Sequence, residues 1–154
     1  MKKHKRIGEI VAVPLANGGY CWGVIAHAYK NLILMHFTGP VFGSVDEAPL
    51  PGLESFAEPI YTCVTGLRGF KKGEWEVRGN VETVDPFAWE WPMFKLQEPL
   101  AGIWFEITYD DTFAEVRRRT AKADEVAHLP KAGVAGHKFV EKRLQRLLQG
   151  NPTT

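Results

Sequence analysis

The chain has few of the features that usually announce chemistry. Among its 154 residues there are two cysteines, Cys21 and Cys63, and no C-x-x-C pair, which removes the usual structural zinc and dithiol redox readings. The five histidines, His4, His27, His36, His128 and His137, never fall at i, i+4 or in an H-x-H step, so no local metal chelate is written in the chain. A G-x-S-x-G elbow, a P-loop and a dinucleotide-binding fingerprint are all absent. There are no internal repeats and no low-complexity segments. No apolar run approaches the roughly 18 residues of a membrane helix. The opening "MKKHKRIGEIVAVPLANGG" is interrupted by Glu9 and Pro14 and has no small-residue cleavage site, so it does not read as a signal peptide. These absences lead us to expect a cytoplasmic protein with two free thiols and no membrane partner.

Net charge is also scarce, at +1, which argues against a nucleic-acid-binding protein as a whole. The average conceals a segregation. Residues 1–6 carry Lys2, Lys3, Lys5 and Arg6; residues 7–120 carry nine Lys/Arg against fifteen Asp/Glu; residues 121–154 carry six against three. The middle of the chain is acidic and both ends are basic.

What the chain does have is the composition of a folded domain: 45% hydrophobic and 24% charged residues, with 15 glycines and 10 prolines cutting it into short segments. We expect one domain over 1–154, with a basic tail (1–6), a β-rich body (7–120) and a C-terminal helix (136–149). Segments 9–15, 20–28 and 31–37 read as a meander, its first turn set by Asn17, Gly18 and Gly19, where an Asn-Gly pair supplies the positive φ angles of a tight hairpin. Residues 38–59 hold too many glycines and prolines for regular structure beyond one helical turn near 53–57. Strand signals return at 60–66, at 73–79 with Trp75 and Val77 on a buried face, and at 94–97, 102–109 and 113–119, the last two joined by a turn at Asp110 and Asp111. Residues 85–94, "DPFAWEWPMF", read as an aromatic loop. In the last segment Phe139, Val140, Leu144, Leu147 and Leu148 recur every three or four residues, a helical stripe stopped by Gly150. The expected fold is mainly β (α+β): a twisted antiparallel sheet or open barrel of about seven or eight strands with one C-terminal amphipathic helix packed on it.

The stretch "GGYCWG" invites comparison with papain-type nucleophiles, but Cys21 lies in a strand rather than at a helix N-terminus, and a histidine 130–150 residues downstream does not exist. Cys21 reads as a small apolar core residue. His27 and His36 sit on adjacent strands, where they either reach one metal from a shared face or are satisfied by hydrogen bonds. In "RRR" at 117–119, Arg117 and Arg119 share one face of a strand, either as an anion contact or as a solvated edge.

The order of three blocks resembles the immunity protein 26 family. "RIGEIVAVPLANGGYCWGVI" is similar to the family's opening strand and glycine turn. "GEWEVRG" carries Gly73, Trp75, Val77 and Gly79 of a G-x-W-x-[VI]-x-G element. "LPKAGVAGHKFVEKRLQRLL" is similar to a terminal strand followed by a V-E-x-R-L helix, here Val140, Glu141, Arg143 and Leu144, with Ala135 standing where the family is expected to have tryptophan. The resemblance implies a cytoplasmic immunity protein that neutralises a toxin of a bacterial polymorphic-toxin system by tight binding, without a cofactor, a catalytic residue or a metal. Some relatives carry the label of a small phosphotriesterase, so hydrolysis of organophosphates is the alternative, and a small-ligand β-barrel is a third class. For the binder, Asp46, Glu47, Glu54 and Glu58 are expected to form an acidic surface for a basic toxin such as a nuclease, and Trp89 and Trp91 to be contact anchors. The plain alternatives are a solvated acidic loop and tryptophans that plug the end of a barrel.

Overall fold

A computed structural model describes residues 6–46, 48–81 and 89–149. Nine strands form two sheets among these residues. The strands are β1 (Glu9–Pro14), β2 (Tyr20–Tyr29), β3 (Leu32–Phe42), β4 (Tyr61–Gly66), β5 (Glu76–Asn80), β6 (Phe94–Gln97), β7 (Trp104–Tyr109), β8 (Glu115–Ala121) and β9 (Val134–Ala135). The helices are α1 (Arg68–Lys71), α2 (Ala123–Val126) and α3 (His137–Gln149), with a 3-10 turn at Leu53–Phe56. The larger sheet has the order β5-β1-β2-β3-β4-β9 and the smaller one β6-β7-β8. No closed barrel forms among the described residues, so the open arrangement with a C-terminal helix is the one adopted.

The expected meander is present, with β1 on β2 and β2 on β3, both antiparallel. Pro14 ends β1, where it pairs with Tyr20 but has no partner on β5, so its missing N–H interrupts no ladder. Gly18 and Gly19 both take positive φ at the turn. Two details differ from the sequence reading. β3 continues to Phe42, past the first glycine and proline of the 38–59 segment, because Thr38 and Phe42 still find partners on β2. Trp75 is buried but lies in the turn before β5, and Val77 is 39% exposed, because β5 is the edge strand of its sheet. Gly150 and residues 1–5 of the basic tail lie outside the described residues.

The central strands are buried on both sides, which explains why Cys21–Ala26 is an unbroken buried run instead of an alternating one. One face of the large sheet, with Val11, Cys21, Ile25, Met35, Phe37 and Cys63, packs against Val140 and Leu144 of α3. The other face, with Ile10, Trp22, Val24 and Leu34, packs against Phe94 and Ile107 of the small sheet and against Phe56 and Trp89. The result is three layers: helix, six strands, three strands. Strand β2 carries a bulge between Ile25 and His27, so Ala26 and His27 both sit on the small-sheet side.

Helix α3 is not rotated as its leucines suggested. Its buried face is His137, Val140, Glu141, Leu144 and Gln145, while Phe139 and Leu147 remain 55% and 43% exposed. Buried polar groups set this rotation. The Trp75 indole N–H donates to Glu141 Oε2 at 2.9 Å, and the Asn17 amide donates to Gln145 Oε1 at 3.1 Å. Leaving either partner unpaired in the core would cost about 1–3 kcal/mol, so the helix turns to keep both and presents two apolar side chains outward.

Candidate functional site

The sequence-selected residues divide between one recess and two structural roles. A cavity of about 640 Å³ opens between the 3-10 turn and the end of the aromatic loop, and its walls include His36, Glu54, Phe56, Pro59, Trp89 and Glu90. The 3-10 turn is held by Phe56, buried against the small-sheet side of the core, which leaves Glu54 at the surface. Glu58 is exposed just beyond it. Asp46 is held aside instead: its carboxylate pairs with Arg78 at 3.0 Å, and the same guanidinium holds Glu76 at 2.8 Å. Glu47 lies outside the described residues, as does Pro86.

Trp89 forms part of the recess wall and is 8% exposed, with no acceptor for its indole N–H among the described residues. Trp91 is committed elsewhere. Its ring stacks on His27 at 4.4 Å between centroids, and its indole N–H donates to Asp111 Oδ1 at 2.9 Å. The adjacent aspartates split their work accordingly: Asp110 accepts from the Thr112 and Ala114 amides and forms the turn, and Asp111 holds Trp91. Of the two tryptophans, Trp89 reaches the recess and Trp91 braces the histidine behind it.

His27 and His36 do share a face, because the β2 bulge moves His27 to the side on which His36 lies. They are not directly opposite, since His27 pairs with Leu34 and His36 with Val24. The Trp89 carbonyl can only accept, so His27 donates Nε2–H to it at 2.8 Å. His36 Nδ1 is hydrogen-bonded to Thr62 Oγ1 at 2.7 Å. Burial pushes the His36 imidazole down to about 4, with the neighbouring His27 adding to the effect, and burial lowers His27 as well against the opposing pull of the Trp89 carbonyl. Near neutral pH both rings are uncharged. Among the described residues no group of three or more His, Cys, Asp or Glu is placed to hold a metal ion.

The thiols belong to the core. Cys21 and Cys63 are free and buried, and desolvation raises each to about 12, the opposite of an activated nucleophile. Arg117 and Arg119 do share a face, as alternation requires, with Arg119 paired to Glu106 at 3.0 Å; Arg118 on the other face lies over the Phe105 ring and pairs with Glu115 at 2.8 Å.

A second, larger recess lies between sheet and helix, where the small-ligand reading of the sequence would put its pocket. It occupies about 870 Å³ between the outer edge of β4, the 127–136 segment and α3, and its walls include Lys95, Lys131, Lys142, Arg143 and Arg146. The two recesses meet at Pro59, which lines both. Its cationic lining corresponds to the basic excess after residue 120, and the missed signal was a stripe on α3 too wide for one buried face. Glu90 was missed because a lone acid between two tryptophans has no periodic signature.

These features define a mainly β protein with two recesses of opposite charge, bordered by aromatic and apolar side chains. Among the described residues no helix is long and apolar enough to cross a membrane. The family model of immunity protein 26 matches residues 6–106, and the chain belongs to that family. Comparison with curated proteins and with solved structures returned no match.

Proposed function

We propose that this chain neutralises a cognate protein toxin by tight non-covalent binding, acting in the cytoplasm, and that the recess beside Trp89 receives a basic partner such as a nuclease. The family assignment supports the role. The observation that carries the choice of surface is charge: Glu54 and Glu90 are the charged side chains in the walls of that recess, since His36 is neutral at pH 7, and Glu58 adds to them from the adjoining turn. A negative recess attracts a basic partner at long range and speeds encounter. Asp46 contributes less field, because Arg78 cancels it locally.

The test is association of the purified chain with the toxin encoded beside it, followed by stopped-flow fluorescence at low salt. Replacing Glu54 and Glu90 with lysine is expected to slow association by about tenfold or more while leaving the fold intact, because both side chains are exposed. An unchanged on-rate removes this surface from the proposal. Absence of any complex with the native chain removes the proposed function itself.

A further inference from the structure

We propose that the second recess is a docking groove for an extended, acidic polypeptide segment, which adds as a strand to the open part of the β4 edge. Three independent features of the groove point there, and none depends on which partner occupies the Trp89 recess.

The first is an incomplete ladder. β9 pairs in parallel with β4 only at Val64 and Thr65, after which the chain leading into β9 swings away to bond with Lys95 of the small sheet. Over Tyr61–Cys63 no strand among the described residues lies beside the outer side of β4, and this stretch lines one wall of the groove, with Thr62 and Cys63 at its bottom, 9% and 4% exposed. Alternate residues of a strand turn N–H and C=O groups to its outer side, and an extended peptide entering the groove adds on those.

The second is charge. The walls carry Lys95, Lys131, Lys142, Arg143 and Arg146 and no Asp or Glu. Lys131, Lys142, Arg143 and Arg146 make no ion pair with any described residue, although the body of the chain is rich in carboxylates. Unpaired cations facing each other across a recess repel, and that repulsion is relieved by an acidic occupant.

The third is apolar surface in the same place. The rotation of α3 that keeps Glu141 and Gln145 paired turns Phe139 and Leu147 into the groove beside Arg143, and Ile60 and Val134 face it at 39% and 60% exposure. One helix face thus offers alternating apolar and cationic contacts. An extended segment presents side chains alternately to two sides, so acidic residues can meet the cations while apolar ones cover Phe139 and Leu147. A single-stranded nucleic acid would bring the negative charge but has no use for a β edge, and the groove offers one exposed phenyl ring where a stacking platform uses several.

The experiment uses the full chain, isotope-labelled, with a short capped peptide of alternating Glu and Val as the probe, its Lys-Val counterpart as control, and an oligothymidylate of similar length. The expected result is saturable binding of the Glu-Val peptide, weakened by added salt, with shifted resonances and slowed amide exchange at Tyr61–Cys63 and no change at Glu54 or Glu90. The double variant K142E/R146E, both positions exposed on α3, should lose at least about tenfold in affinity while keeping the native spectrum. The proposal is overturned if the acidic peptide does not bind, if K142E/R146E binds it as well as the native chain does, or if the oligothymidylate binds as tightly. Because no toxin enters the measurement, failure here leaves the proposed immunity function standing, and the reverse also holds.

Discussion

Acidification from about pH 7.5 to about pH 5 should cost this protein about 2 kcal/mol of stability through His36 alone. His36 is 9% exposed, bonded to Thr62 and edged by the Trp89 ring at 5.8 Å, and its folded-state pKa of about 4 lies below the ordinary 6.5. The unfolded chain therefore takes up its proton first as pH falls. The stabilising difference is complete above pH 6.5, declines between 6.5 and 4, and is fully lost below 4. At pH 5 the unfolded state is favoured by a protonation factor of about thirty, which is the about 2 kcal/mol stated above. His27, lowered by the same burial, adds a loss of the same sign. Carboxylates held low by partners, such as Glu74 beside Lys138, begin to matter only below their ordinary value of 4.5, so the window above pH 5 isolates the imidazoles. Urea unfolding of the native chain and of H36Q at a series of pH values measures the effect. Glutamine cannot take the proton, so the native chain should lose about 2 kcal/mol more than H36Q over that window, whatever the starting stability of the variant. Parallel pH profiles for the two proteins would refute the assignment of a desolvated, neutral His36.

Further outcomes follow from the same packing. W75F removes the donor to the buried Glu141 carboxylate, leaving it only Lys138 at 3.3 Å, and should lower the urea midpoint by the equivalent of about 1–3 kcal/mol; an unchanged midpoint would mean that the 2.9 Å bond is not made in solution. G23A places a methyl group 2.9 Å from Met35 Cε and Phe37 Cδ1 and should destabilise by about 1–3 kcal/mol, whereas G43A, with nothing within 4 Å, should stay within about 0.5 kcal/mol of the native chain by the same assay. The native protein should consume no thiol reagent on the timescale in which the denatured chain reacts at both Cys21 and Cys63; rapid modification of either would contradict their burial.

Much of the fold could be read from local signals because those signals are themselves the cause of the structure. The Asn17-Gly18-Gly19 turn, the β-branched run at 9–13 and the "DD" turn act over a few residues: the run forms β1, and strands flank both turns. What could not be read depends on groups distant in sequence. The alternation at 113–119 correctly pairs Arg117 with Arg119, but nothing local says that β6–β8 leave the main sheet to cover its other face. The stripe Phe139, Val140, Leu144, Leu147 and Leu148 looks like one buried face because leucines are counted and Glu141 and Gln145 are not; their partners, Trp75 and Asn17, lie 66 and 128 residues away. The candidate site follows the same division. Glu54 and Trp89 were identifiable by residue type and bring their recess with them, whereas the groove beside β4 arises from an edge that β9 covers too briefly, a property of pairing and not of composition.

The extra residue in β2 has a consequence for how this architecture tolerates change. Ala26 adds one step to the strand at a point where β3 has none, so the parity of everything from His27 to Tyr29 is reversed relative to Cys21 and Ile25. Deleting that one alanine would leave a regular ladder, with Ile25, His27 and Ala28 still opposite Met35, Leu34 and Ile33 and the imidazole still against Trp91. Straightening the strand with Ala26 kept in it is what would send the imidazole beneath the C-terminal helix, so the kink, which has no reactive group of its own, is the point on which the arrangement behind the acidic recess turns.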